Sequence, residues 1–553
     1  MDQAELPRTV AEFAFLLAER FGDRPAQRFK RDGRWLDISY VQLRDVSAEV
    51  GRGLIALGVR PGERVCVLSD TRPEWTHVQF GISAAGALVV PIYPSSSPEE
   101  CEWVIGNSGA VVVICEDAAQ LDKVDQIRDR LPELRHVVTI EPTGGKALTL
   151  EELRQRGEGE APELERRTDA VQPDDPALIV YTSGTTGPPK GCLLTHRNLT
   201  ACCRVTRELD VLRPGDVSYL FLPLAHVFAQ VVQLSTFSVG GVAAYGTGNP
   251  ATIVSECAEV QATCMPSVPR IFEKVHGMFS DQSPADPRVS AKLRAVFGGR
   301  LRVAISGAAP IAQEILEFFH AAGVPVYEGY GMSESSSVGT LNTVAALKIG
   351  SIGRPVPGCE VRIADDGEIM MRGPHIFAGY WDNPEATREV LVDGWLSTGD
   401  LGAIDEAGFV TITGRKKDII ITAGGKNITP ANIENDLRQS PWISQVLLYG
   451  DRRPFLVALI TLDPDQIVPW ARAQGLPADI AGLQAHPSVR ELIQGMVDQA
   501  NARYARVEQI KRFAVLERDF TVETGELTPT LKMKRRVVEQ NYTGVLERLY
   551  RPA

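Results

Sequence analysis

Three things are scarce in this chain of 553 residues, and each scarcity removes a class of protein. Paired cysteine is the first. The nine cysteines form no CxxC spacing and their number is odd. That speaks against structural zinc and against a secreted disulfide framework, and it fits a reducing cytoplasm. Long apolar runs are the second. The best stretch, 231–245, is broken by Gln233, Ser235, Thr236, Ser238 and a glycine pair, so no transmembrane segment is expected. Asp2 and Glu5 come early and no uninterrupted apolar core follows, so no signal peptide is expected either. Positive charge is the third. Against 58 Lys and Arg stand 70 Asp and Glu, a net charge of -12, which excludes nucleic acid as an expected partner and weakens docking to anionic lipid. Internal repeats and low-complexity tracts are also missing.

What remains is an ordinary globular composition on a chain long enough for more than one domain. Thr9-x-x-Glu12 reads as a capping box opening an amphipathic helix that Gly22 closes. From 39 to 150 helical and strand patterns alternate, with strands at 64–68, 87–93 and 110–115, which predicts an α/β sheet. The charged stretch 154–176 reads as a surface connector. From 177 to about 345 the alternation resumes. From 349 to 413 the texture changes to short strands with turns at Asp365-Asp-Gly367 and Asp405-x-x-Gly408. Gly414-Arg-Lys-Lys-Asp418 then punctuates the chain, and a mixed unit with its own helices and strands follows. The expected fold is α/β. A large N-terminal domain, 1–416, holds two α/β subdomains and a small β-rich one, and a small α+β domain follows at 417–553.

The richest segment is Tyr181-Thr-Ser-Gly-Thr-Thr-Gly-Pro-Pro-Lys-Gly191. Gly184, Gly187 and Gly191 allow close backbone approach. Thr182, Ser183, Thr185 and Thr186 supply hydroxyl donors, and Lys190 supplies a point charge suited to phosphate. The segment leaves a predicted buried strand, where open α/β sheets bind ligands. It is not a Walker loop, because Gly191 follows Lys190 where that motif needs Ser or Thr for magnesium. It resembles the phosphate loop of the adenylate-forming superfamily of acyl-CoA synthetases, luciferases and peptide-synthetase adenylation domains.

Five further segments match that superfamily in its own order. Tyr327-Glu-Gly-Tyr-Gly-Met-Ser-Glu334 resembles the loop that holds adenine and the α-phosphate. The resemblance makes Gly329, Tyr330, Gly331 and Ser333 nucleotide contacts and Glu334 a magnesium ligand, a task suited to a hard carboxylate oxygen. Gly394-Trp-Leu-Ser-Thr-Gly-Asp400 supplies Asp400 for the ribose, and Arg415 resembles the arginine that contacts ribose or phosphate. Leu222-Pro-Leu-Ala-His-Val-Phe228 places His226 beside the acid pocket, with Ser306, Gly307 and Ala308 on a second strand-end loop. Amino-acid-activating relatives usually carry an aspartate after the histidine. Val227 stands there, which favours an acid with an uncharged tail.

Asp418-Ile-Ile-Ile-Thr-Ala-Gly-Gly-Lys-Asn-Ile428 puts Gly424 and Gly425 along the expected coenzyme A channel. Its Gly-Gly-Lys-Asn form is most similar to the long-chain fatty acyl-CoA synthetase branch. Lys417 matches the hinge about which the C-terminal domain is expected to move. Leu527-Thr-Pro-Thr-Leu-Lys-Met-Lys-Arg-Arg536 supplies Lys532 as the adenylation lysine, with Lys534 as the competing assignment.

The resemblance implies ATP, Mg²⁺ and coenzyme A, and a reaction in two halves. A carboxylate attacks the α-phosphate of ATP to give an acyl-adenylate and pyrophosphate, and a thiol then displaces AMP. Lys532, Glu334, Thr182 and Lys190 are the expected catalytic residues. The expected substrate is a long-chain fatty acid. Alternatives are a medium-chain or aryl acid, a separate carrier protein as acceptor, or a silent nucleotide or acyl binder. An enzyme of lipids can also touch a membrane surface peripherally.

Overall fold

The computed structural model describes residues 6–182, 188–249, 251–279, 282–423, 426–528 and 533–551. Two large sheets form the N-terminal domain. The first is built on β1 (Arg64–Leu68), β2 (Leu88–Ile92), β3 (Ala110–Cys115), β4 (Pro176–Thr182) and β5 (Lys190–Thr195). These run in the order β5-β4-β2-β1-β3, and a two-residue strand, Gly379–Tyr380, adds to the free edge of β5. Every pairing is parallel except the two that β5 makes, with β4 and with Gly379–Tyr380, so β5 alone runs against the rest. β2 and β3 are buried along their whole length, as expected of apolar runs covered on both faces.

The second sheet is built on β6 (Val217–Leu220), β7 (Val242–Tyr245), β8 (Cys264–Ser267), β9 (Val303–Ser306) and β10 (Val326–Tyr330). The sequence 10-9-8-6-7 is parallel throughout. Between the two sheets lie α1 (Pro73–Ala84) and α2 (Val227–Ser238), both almost fully buried. A buried polar network joins them: Thr76 Oγ1 donates to Gln233 Oε1 (2.7 Å), Gln79 Nε2 to Gln230 Oε1 (2.9 Å), and Gln230 Nε2 to the Leu224 carbonyl (2.8 Å). Every one of these amides has a partner, so their burial carries little desolvation penalty. The apolar stretch at 231–245 is thus the end of a core helix and a core strand. No helix among the described residues is long and apolar enough to cross a membrane.

A third, antiparallel sheet contains β11 (Glu368–Arg372), β12 (Trp395–Ile404) and β13 (Val410–Arg415). The hairpin turns expected at Gly367 and Gly408 are present, with φ of 87° and 81°. The C-terminal domain has its own core around β14 (Ile443–Tyr449), β15 (Leu456–Leu462) and β16 (Ile510–Val515). It touches the N-terminal domain through Arg270 and Asp463 (3.0 Å) and through Arg503 and Glu314 (3.8 Å). All nine cysteines are buried, free thiols.

Two local expectations fail. Thr9 caps nothing: its hydroxyl is buried without a partner, and the Glu12 carboxylate is taken by the Arg8 backbone and guanidinium (2.9 and 3.0 Å). A 3₁₀ turn, Val10–Glu12, precedes the helix Phe13–Phe21, which Gly22 does close. The stretch 154–176 is not a connector but carries the end of one helix, Leu150–Arg156, and all of another, Ala161–Ala170. A true capping box, Thr149 with Glu152, starts the first, and Leu153 and Leu164 anchor the pair. With Leu150, also buried, these three leucines suffice because the remaining faces stay in water, which is why the stretch is so charged.

Candidate active site

The strand β10 runs through Gly329 to Tyr330. The chain then closes tightly on itself. Ser336 and Ser337 adopt left-handed φ of 51° and 66°, and a Cβ on Gly331 would fall 2.3 Å from the Ser337 backbone. Only glycine fits there. This loop has two ends, and each meets a different group of residues.

At one end the Tyr330 phenol donates to Asp400 Oδ2 (2.6 Å), and Arg415 Nε donates to Asp400 Oδ1 (2.9 Å). Asp400 and Arg415 face each other as register partners on β12 and β13. Asp400 is 5% exposed. Burial and the adjacent carboxylate push the Tyr330 phenol well above its ordinary range, so it stays a donor. Gly399 N–H donates to Glu368 Oε1 (2.7 Å), which fixes the turn into Asp400.

At the other end Glu334, 8% exposed, accepts from the Tyr380 phenol at Oε1 (2.7 Å). The Lys190 ammonium lies over the Tyr380 ring, 5.2 Å from its centre. Thr182 ends β4 as the register partner of Lys190, and the fully buried Cys192 packs beside both Thr182 and Glu334. Glu334 presents hard oxygen donors that suit Mg²⁺ held mainly by nucleotide phosphates. No cluster of three or more metal-binding side chains occurs among the described residues.

The acid-pocket residues also approach one another. His226 caps α2, its Nδ1 accepting from Phe228 N–H (3.1 Å). A Cβ on Gly307 would stand 3.7 Å from the Phe228 ring, so α2 and the 306–308 loop are neighbours. Ala308 has a left-handed φ of 67°, and Ser306 Oγ is buried with no partner. Val227 is buried. Ser183, Gly184, Thr185, Thr186, Gly424, Gly425 and Lys532 lie outside the described residues.

Two residues here escape a reading of motifs. Tyr380 carries no motif signal of its own. Its position follows only from pairing with Cys192, far away in the chain. Glu328 was the other: it is the register partner of Ser306 and is 9% exposed. Burial raises its carboxyl from 4.5 to about 7, opposed only by a hydrogen bond from the Ile311 backbone. The folded state therefore holds this proton to higher pH than the unfolded chain does. Its contribution to stability is complete below the ordinary carboxyl range and is lost as pH rises through about 7. Ionising so displaced a carboxyl in place costs roughly 3 kcal/mol. Glu328→Gln is expected to melt close to the parent at about pH 5 and above it at about pH 8. Equal differences in melting temperature at both values would refute this.

A cavity of about 680 Å³ lined by Arg8, Arg197, Arg204 and Arg207 contains none of the motif residues.

Comparison with known proteins agrees with this geometry. Residues 16–381 match the model of the AMP-binding enzyme family, and residues 417–553 match that of the AMP-binding enzyme C-terminal domain. The long-chain-fatty-acid–CoA ligase FadD15 of Mycobacterium bovis is 40% identical, over 94% of this chain and 93% of its own length. The long-chain-fatty-acid–CoA ligase ACSBG1 of Rattus norvegicus is 33% identical, over 99% of this chain and 86% of its own. Among solved structures, the adenylation domain of a carboxylate reductase from Mycobacterium chelonae superposes with a TM-score of 0.81 at 22% identity, covering 99% of this chain and 92% of that one. The anthranilate CoA ligase AuaEII gives 0.78 at 22% identity, covering 98% and 99%.

Proposed function

Because the chain belongs to the AMP-binding enzyme family of adenylate-forming enzymes, in its long-chain fatty acyl-CoA synthetase branch, we propose a division of labour among the residues of this site. The protein activates a long-chain fatty acid with ATP through an acyl-adenylate to the coenzyme A thioester, releasing pyrophosphate and AMP. In the first half a carboxylate oxygen bonds to the α-phosphorus as the bond to pyrophosphate breaks. In the second, the thiol sulfur gives up its proton to solvent and bonds to the acyl carbon as AMP leaves with the electrons of the broken C–O bond.

The first half spreads negative charge over phosphate oxygens, and positioned cations and hydroxyls are what it requires. Thr182, Ser183, Gly184, Thr185, Thr186 and Lys190 cradle the phosphates. Glu334 would hold the Mg²⁺ that accompanies ATP, which would offset phosphate charge there, and Lys532 contacts the reacting phosphate. Gly329, Tyr330, Gly331 and Ser333 hold the base and α-phosphate, while Asp400 and Arg415 hold the ribose. His226, Val227, Ser306, Gly307 and Ala308 line the acid pocket. Gly424 and Gly425 border the path of coenzyme A. One observation carries this reading: a single tight loop, 329–338, has Asp400 and Arg415 at one end and Glu334 with Lys190 nearby at the other.

The two halves need different surfaces, so the C-terminal domain, 417–553, turns about Lys417. Its N-terminal neighbour Lys416 is tied down, with Nζ 2.5 Å from Asp366 and 3.0 Å from Glu368 and its N–H on the Gly399 carbonyl. Lys417 is exposed and is the first residue beyond that anchor. Lys417→Pro, which freezes φ, is expected to spare acyl-adenylate formation and block thioester formation. Full overall turnover in that variant would remove the hinge from Lys417. We also assign the protein to the cytoplasm, which its nine free thiols support.

The test of function is AMP release with Mg-ATP across straight-chain acids from short to long and aryl acids, each with and without coenzyme A. Long acids with strict dependence on coenzyme A are expected. Pyrophosphate exchange unaffected by coenzyme A would point to a carrier-protein acceptor instead.

A further inference from the structure

Tyr380 touches both charged groups at the phosphate end of the site. Its phenol donates to Glu334 Oε1 at 2.7 Å, and its ring face carries the Lys190 ammonium. The side chain is also held firmly. Its backbone adds a strand to β5 at Cys192, with the Trp381 N–H on the Gly191 carbonyl (2.7 Å). Its own N–H donates to Thr387 Oγ1 (2.9 Å), and the Phe377 ring packs edge-on at 5.0 Å. The preceding Gly379 has φ of 141°, and a Cβ there would strike Thr387 at 2.8 Å. Substitution of Gly379 would therefore displace the tyrosine itself.

We propose that Tyr380 is a positioning residue for the metal and the phosphates together: its phenol fixes the Glu334 carboxylate and its ring face fixes the Lys190 ammonium. This rests on the assignment of Glu334 and Lys190 made above. With the phenol on Oε1 and the buried Cys192 thiol beside the carboxylate, a metal would be held by Glu334 at one point only. One-point attachment suits Mg²⁺, which keeps most of its waters and takes few protein ligands. Groups that hydrogen-bond a metal ligand fix its orientation, and their loss typically weakens metal binding about 10- to 100-fold. The ring contributes separately. A cation over an aromatic face is held without a counter-charge, so Lys190 keeps its full charge for phosphate.

The two contacts can be separated. Tyr380→Phe keeps the ring and loses the phenol, whereas Tyr380→Leu loses both. Binding is read without turnover, as Mn²⁺ affinity by electron paramagnetic resonance in the presence of a non-hydrolysable ATP analogue, and as analogue affinity by calorimetry at saturating Mg²⁺. Tyr380→Phe is expected to weaken Mn²⁺ about tenfold while leaving the analogue affinity unchanged. Tyr380→Leu should weaken both. Glu334→Gln is the reference. If it weakens Mn²⁺ and Tyr380→Phe does not, the positioning role falls and the metal assignment stands. If Glu334→Gln binds Mn²⁺ like the parent, the metal assignment falls and the proposal falls with it. A Tyr380→Leu variant that binds the analogue like the parent would remove the Lys190 half.

Discussion

Lys532→Ala is expected to form acyl-adenylate about 10²–10³-fold more slowly, the usual effect of removing one preorganised donor from a developing charge. The same variant should convert supplied acyl-adenylate and coenzyme A to thioester at the parent's rate, because the phosphate chemistry is then already complete. The described residues on either side of Lys532 are held in place. Leu527 and Met533 bridge to each other, and the Lys534 N–H donates to the Glu526 carbonyl (2.8 Å). Glu526 is fully buried and is held by both Arg518 nitrogens (2.7 Å each), Thr524 (2.7 Å) and Asn541 (3.1 Å). Lys534 begins the helix Arg535–Asn541, and its neighbour Arg535 is paired with Glu434 (2.7 Å). Lys534→Ala should therefore leave adenylation near the parent's rate. Half-reaction assays on the two variants decide between the lysines. Equal loss of both half-reactions in Lys532→Ala would sink the assignment, and loss of adenylation in Lys534→Ala alone would move it.

Asp400→Ala carries the second large effect. The carboxylate accepts from Tyr330 and Arg415 and, in the reading above, from the ribose hydroxyls. Hydrogen bonds to a charged group contribute about 1.5–3 kcal/mol each, so losing the ribose contacts should lower kcat/KM for ATP about a hundredfold or more. The buried phenol loses its acceptor as well, which costs about 1–3 kcal/mol of stability. Asp400→Asn keeps an oxygen for Tyr330 and should recover the melting temperature but not the affinity for ATP. The KM for the fatty acid should stay near the parent's in both. If ATP kinetics are untouched while stability drops, Asp400 is a structural partner of Tyr330 and Arg415 only.

Much of this site is legible in the sequence because its chemistry sits in short strings. Thr182 and Lys190 lie on one hairpin, and Tyr330 and Glu334 on one loop, so their spacing survives folding. The expectation of two α/β subdomains, a β-rich subdomain and a small C-terminal domain holds for the same kind of reason: apolar strands and Gly or Asp turns are local signals. Tyr380 stays invisible because its role depends on strand pairing across almost 200 residues. Glu328 is hidden inside a motif where a carboxylate attracts no notice. Only its burial beside Ser306 changes its chemistry. Thr9 and the helix Ala161–Ala170 mislead for opposite reasons. Thr9 has the right string, but Arg8 captures the glutamate the string requires. The helix has so few apolar residues that its charged face conceals its buried one.

The tether at Lys416 has a mechanical consequence. A door moves least beside its hinge and most at its free edge. Arg415 precedes the tether, on the frame side, paired with Asp400. In the function proposed here, Lys532 belongs to the unit beyond the pivot, the swinging leaf. On the proposed hinge, a turn of the small domain would withdraw Lys532 while Asp400 and Arg415 stay still. The nucleotide half of the intermediate would keep its grip through the changeover, and only the tool applied to it would be exchanged.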